Sequence, residues 1–96
     1  MINPLEKKRA EIDAIDTRLA GLLAERLTIA ASLAGLKKTG RDPARETAIL
    51  KRVVGLVKDG KLHPAVKTVY REIIKQGRLL QKNIIKKRKF PGNPQP

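Results

Sequence analysis

Arg26 and Lys37 lie eleven residues apart in a run with no helix-breaking proline. Eleven residues are close to three helical turns, so on a helix the two cations point the same way. Advancing about 100° per residue from Ile12 places Ile12, Ile15, Leu19, Leu22, Leu23, Ala30 and Leu33 within an arc of roughly 100°, the width of a core stripe. Arg26 and Lys37 fall near the middle of that arc. Cations are almost never fully buried unless paired, and no acidic residue shares the stripe. The carboxylates of a bound substrate are one source of the missing anion. The plain alternative is that each side chain snorkels, with its stem buried and its head in water.

Other polar residues share this habit of facing the apolar side. Glu46 projects onto the apolar side of a second helical run, one turn before Ile49 and Leu50, with Arg45 and Arg52 on its flank. Gln81 projects onto the apolar side of a third run, where a neutral amide needs hydrogen-bond partners. Gly77 faces the same way; glycine in a helix interior is unfavourable unless something must approach the backbone closely. The chain has no cysteine, one histidine (His63, read as a loop or cap residue) and no glycine-rich phosphate loop. Nothing here offers thiolate, metal or nucleophilic chemistry.

Three helices are needed to position these groups. The first runs from 4 to 38: Asn3 caps it, Pro4 suits its first position and Glu6 completes a capping box. Gly21 and Gly35 lie inside this run, and Thr39-Gly40 ends it. Such a helix is about 35 residues and roughly 50 Å long, against a radius of gyration near 13 Å for a compact domain of this size. It overhangs its own chain, and the stripe on its far end predicts a second copy to cover it, an intertwined homodimer. The second helix starts at Asp42-Pro43, buries Ile49, Leu50, Val53, Leu56 and Val57, and stops at Asp59-Gly60. The third opens at His63-Pro64 and reaches Arg88, with Val66, Val69, Ile73, Leu80 and Ile84 as its stripe and Tyr70 beside it. Its opposite face is basic: Lys67, Arg71, Lys75, Arg78, Lys82, Lys86 and Lys89. The expected fold is all-α, with three helices per chain and a very long first helix. Residues 1–90 form one helical domain, and 91–96 a disordered tail.

Composition narrows the partners without choosing one. A formal net charge of +13 favours an anion, whether nucleic acid, an acidic membrane surface, a small polyanionic substrate or an acidic partner protein docking on the third helix. Aromatics are only 2% of the chain, too few for base stacking, and no nucleic-acid recognition motif is present, so nucleic acid is not expected. No apolar run approaches the roughly 20 residues of a membrane span, and no signal peptide is visible. With no cysteine, the expected setting is the cytoplasm.

With these elements in order, the chain resembles the small all-helical, dimeric chorismate mutases over about residues 5 to 85. The matching pieces are Arg9-Ala10-Glu11-Ile12-Asp13-Ala14-Ile15-Asp16, Leu22-Leu23-Ala24-Glu25-Arg26, Lys37, Asp42-Pro43-Ala44-Arg45-Glu46 and Gln81. The resemblance implies a role for each. Arg26 grips one carboxylate of the substrate, and Arg9 reaches across from the other subunit to a carboxylate. Lys37 contacts a carboxylate and the ether oxygen of the breaking bond, and Gln81 contacts that oxygen too. Glu46 and Asp42 match acidic positions near the substrate hydroxyl, and Arg45 supports them. Gly77 stands where members often carry Ser or another polar residue, so it offers only its backbone N–H.

The implied reaction is the intramolecular Claisen rearrangement of the chorismate dianion to prephenate, in aromatic amino-acid biosynthesis. It requires no cofactor and no metal. The protein has to hold a flexible substrate in its compact diaxial conformer and stabilise negative charge growing on the ether oxygen. A glutamine at position 81 donates at any pH, so the rate is expected to be nearly flat across neutral pH. The alternatives are an isochorismate pyruvate lyase on the same fold, a basic helical nucleic-acid module, and a mutase fold without activity.

Overall fold

The computed structural model describes residues 3–36 and 41–88. Lys37, the expected stop at Thr39-Gly40, Lys89 and the 91–96 tail lie outside the described residues. Within them the chain is all-α, with no strand: α1 spans Pro4–Ser32, α2 Pro43–Gly55 and α3 His63–Arg88, with short 3-10 turns at Leu33–Gly35 and Gly60–Leu62.

The helix starts follow local chemistry. The Asn3 side chain accepts from the Glu6 backbone N–H at 2.8 Å, with Pro4 inside the first turn. Asp42 does the same for Arg45 at 3.0 Å, ahead of Pro43. Asp59 accepts from the Lys61 N–H at 2.9 Å and opens the second 3-10 turn. His63 closes the α2–α3 corner, its Nε2 lying 2.6 Å from the Val57 carbonyl oxygen.

The helix ends depart from expectation. α1 stops being α-helical at Ser32 instead of continuing to Lys38, and Gly35 belongs to the 3-10 turn. The hydrogen bonds at this end of the helix change with the geometry. The Ser32 hydroxyl donates to the Ile29 carbonyl at 2.5 Å, the acceptor that the Leu33 N–H would use in an α-helix. The Leu33 N–H turns back to Ala30 instead, tightening the chain into 3-10 geometry. α2 likewise ends at Gly55, before the Asp59-Gly60 stop, and leaves Leu56 71% exposed.

The molecule measures 62 × 34 × 15 Å, with a radius of gyration of 18.0 Å, well above the roughly 13 Å of a compact domain of this length. Fifteen ångströms is little more than one helix diameter, so the helices form a single flat layer. Its core lies between α2 and α3: Ile49, Val53 and Ile74 are buried, with Leu50, Val66 and Tyr70 packed against them. α1 itself contains no buried residue. Leu5, Ile12, Ile15, Leu19, Leu22 and Ile29 are 52–63% exposed. Leu5, Ile12 and Leu19 repeat every seven residues, and so do Ile15, Leu22 and Ile29 three positions later. That is the spacing of a coiled-coil seam.

The buried face of α3 is rotated from the expected stripe. Ile74, Gly77 and Gln81 are buried and Arg78 is partly buried, whereas Val69 and Leu80 are 57% and 38% exposed. The expected side of α3 also held Gly77 and Gln81, which are buried as the sequence placed them, whereas Val69 and Leu80 lie at its outer edge. The neighbouring helices pack on the side carrying the polar site residues.

Candidate active site

The site lies where the C-terminal turns of α1 meet α2 and α3. An open cleft of about 260 Å³ is lined by Arg26, Ile29, Ala30 and Leu33 from the α1 side, Asp42, Arg45, Glu46 and Ile49 from α2, and Ile74, Gly77, Arg78 and Gln81 from α3. Six of the eight expected site residues therefore converge: Arg26, Asp42, Arg45, Glu46, Gly77 and Gln81. Arg9 does not line this cleft; it sits exposed in the second turn of α1. Lys37, outside the described residues, follows the 3-10 turn that borders the cleft at Leu33.

Gln81 anchors the floor. It is 5% exposed, and its Nε2 donates to the Ala30 carbonyl at 2.8 Å. The partner that a buried amide requires is thus a backbone oxygen at the point where α1 tightens. Gly77 explains how the helices come so near: a Cβ built there would lie 3.2 Å from the Ala30 Cβ. A glycine facing an alanine lets α1 and α3 approach closely enough for the Gln81 amide to reach across.

The charged groups hold one another. The Arg26 guanidinium sits 5.9 Å from the centroid of the Tyr70 ring, at the outer edge of a cation–π contact. Arg26 is only partly buried and lines the cleft. Glu46 is bracketed by two arginines. Arg78 Nη1 lies 3.1 Å from Oε2, and Arg41 Nη2 lies 3.7 Å from Oε1.

Arg78 is the residue the sequence reading missed. Its spacing places it on the solvated basic face of α3, yet its side chain is only 27% exposed and turns towards α2. A signal was available, because Ile74, Gly77, Arg78 and Gln81 are spaced i, i+3, i+4 and i+7 and share one helix face. Lys67, Arg71, Lys75 and Lys82 are exposed as expected. No group of His, Cys, Asp and Glu among the described residues could hold a metal ion. No helix among them is long and apolar enough to cross a membrane.

Cations, an amide donor and a carboxylate around a partly apolar cleft define a protein that binds a small polar anion and orients it. The family model of chorismate mutase type II matches residues 8–82, and the chain belongs to that family. It is accordingly an isomerase that converts chorismate to prephenate. No curated protein and no solved structure gives a significant match to the chain.

Proposed function

We propose that the enzyme works as an intertwined homodimer, with each cleft completed by the other subunit. The observation that carries this is the exposed seven-residue repeat on α1. Exposed apolar side chains at coiled-coil spacing are satisfied by a second helix, and two antiparallel copies of α1 would bring the Arg9 of one chain towards the cleft of the other. Arg9 then grips the carboxylate left uncovered by Arg26. Lys37 stands at the ether oxygen opposite Gln81. Glu46 accepts from the substrate hydroxyl, with Asp42 and Arg45 ordering that end.

In this arrangement Arg9 and Arg26 clamp the dianion in its compact conformer, removing most of the rotational freedom that separates the reacting carbons. Lys37 and the Gln81 amide oppose the charge that builds on the ether oxygen as the C–O bond breaks. Both act more strongly in a site with little water than in bulk solvent. No proton need be transferred, because one bond breaks as another forms within the same molecule.

The enzyme serves aromatic amino-acid biosynthesis in the cytoplasm, with 1–90 as the catalytic domain and 91–96 as a tail. The exposed cations of α3 attract the dianion and offer a surface to an acidic partner protein. A pull-down is expected to recover a stoichiometric complex; partners that all vanish at moderate salt with no such complex overturn this docking role.

The first test is chorismate consumption with product identification, for wild type and Lys37→Ala. Prephenate from wild type and its loss in the variant support the assignment. Salicylate from isochorismate, with little chorismate turnover, would overturn it. The second test mixes inactive Arg9→Ala with inactive Lys37→Ala after joint unfolding and refolding. If sites are shared, half of the dimers are mixed and each holds one intact site, so activity returns to about a quarter of wild type. No recovery would place Arg9 outside its partner's cleft.

A further inference from the structure

Arg78 has no role in the site assigned above, yet its side chain occupies the cleft wall. It lines both the substrate cleft and an adjoining hollow formed with Arg41, Arg71 and Lys75, and Glu46 and Ile74 are common to both. The Arg78–Glu46 pair is thus a partition between two open spaces. Its partners are 32 positions apart in sequence and come from different helices. The Arg78 and Glu46 side chains are 27% and 19% exposed, whereas that of Arg41, on the other side of the carboxylate, is 64% exposed.

We propose that Arg78 is a positioning residue. It fixes the Glu46 carboxylate so that Glu46 accepts the substrate's ring hydroxyl, and by doing so it sets selectivity for hydroxylated substrates. This rests on the reading of Glu46 as the hydroxyl acceptor. A carboxylate has about four lone-pair sites, and the two arginines draw on one at each oxygen. Glu46 keeps acceptor capacity while its rotation is restricted. The N-terminal turn of α2, where Glu46 sits, also favours a negative charge. Arg41 is the weaker tether, being longer and mostly in solvent, where ion pairs contribute little. Arg78 holds the shorter contact and is itself held by its place in the wall. Without it, the glutamate is free to follow Arg41 outward, and the substrate hydroxyl loses an oriented acceptor. A site built to bond a hydroxyl discriminates strongly against analogues lacking it only while that acceptor is in place.

The experiment compares kcat/KM for chorismate and for its analogue without the ring hydroxyl. The proteins are wild type, Arg78→Ala, Arg78→Lys, Glu46→Ala and the double alanine variant, with thermal melts and sedimentation confirming fold and assembly. Arg78→Ala is expected to lower turnover of chorismate roughly tenfold, the worth of one oriented hydrogen bond to a charged group, and to leave the analogue almost unchanged. Arg78→Lys restores part of the loss. In the Glu46→Ala background, Arg78→Ala adds nothing. If Glu46→Ala removes the discrimination while Arg78→Ala lowers both substrates equally, the positioning role is overturned and the Glu46 reading survives. If Glu46→Ala leaves the discrimination intact, the Glu46 reading fails and takes the proposal with it. If Arg78→Ala unfolds the chain, Arg78→Lys decides. Unchanged discrimination in that folded variant, despite an altered contact to Glu46, counts against the proposal.

Discussion

The N-terminal part of α1 and the α2–α3 pair draw on the same aliphatic side chains but use them differently. α2 and α3 bury Ile49, Val53 and Ile74 against one another within the chain. α1 carries eight large aliphatics and buries none of them. Length accounts for the contrast. The 13 residues of α2 lie alongside α3, whereas the 29 residues of α1 run about 44 Å, beyond what its own chain can cover. The cleft forms only at the end of α1 that does meet α3. A cleft can thus be built within one chain while most of the longest helix bordering it packs on nothing in that chain.

Substitutions on the two sides should fail in different ways. The largest effect is expected for Leu19→Asp on the α1 seam. A charge there should yield monomers by light scattering and cut turnover a thousandfold or more. A dimeric, active Leu19→Asp enzyme would break the contrast, because the exposed stripe would then be mere surface. Arg26→Ala comes next: the dimer stays intact while kcat/KM falls by about 10²–10³, the usual worth of one preorganised charge partner. Val53→Ala, in the same core but away from the cleft, should reverse that pattern, costing about 1.5–3 kcal/mol in urea unfolding by opening a cavity, with the folded fraction still active. A loss of dimer there instead would mean that the two regions are not energetically separate.

Smaller effects sharpen the join between α1 and α3. Gln81→Glu should convert a flat rate profile into one that rises as pH falls, because a carboxyl donates to the ether oxygen only when protonated. A flat profile in the variant would remove Gln81 from the ether oxygen. The smallest effect belongs to Gly77→Ala. Its gain in helix propensity of about 1 kcal/mol is set against the 3.2 Å contact with Ala30. A double-mutant cycle with Ala30→Gly should therefore show favourable coupling of about 0.5 kcal/mol or more by chemical denaturation.

The helix starts were legible because capping is local. Asn3 and Asp42 each serve a backbone N–H three residues away, so a short stretch of sequence suffices to find them. The end of α1 was not legible, because the apolar period runs on past Ser32 while the Leu33 N–H turns back to the Ala30 carbonyl. Gln81, Gly77 and Glu46 were visible as polar or small residues on apolar faces. Arg78 was hidden because cations are common on solvated faces, and the run of them from Lys67 to Lys89 suggested one continuous stripe.

Sequence alone determined the all-α class, the three helices and the inward-facing Gln81 amide, and its motifs carried the resemblance to the family that the family model then showed. Those properties reside in residue type and helical period, which are local. Only the tertiary structure decided which side of α3 faces its neighbours, that Gln81 bonds the Ala30 carbonyl, and that Arg78 leaves the solvated face to hold Glu46. The reason is that helices pack by close approach of whole faces. Gly77 against Ala30 lets α1 settle closely on that side of α3, and the rotation carries Arg78 inward and leaves Val69 and Leu80 outside.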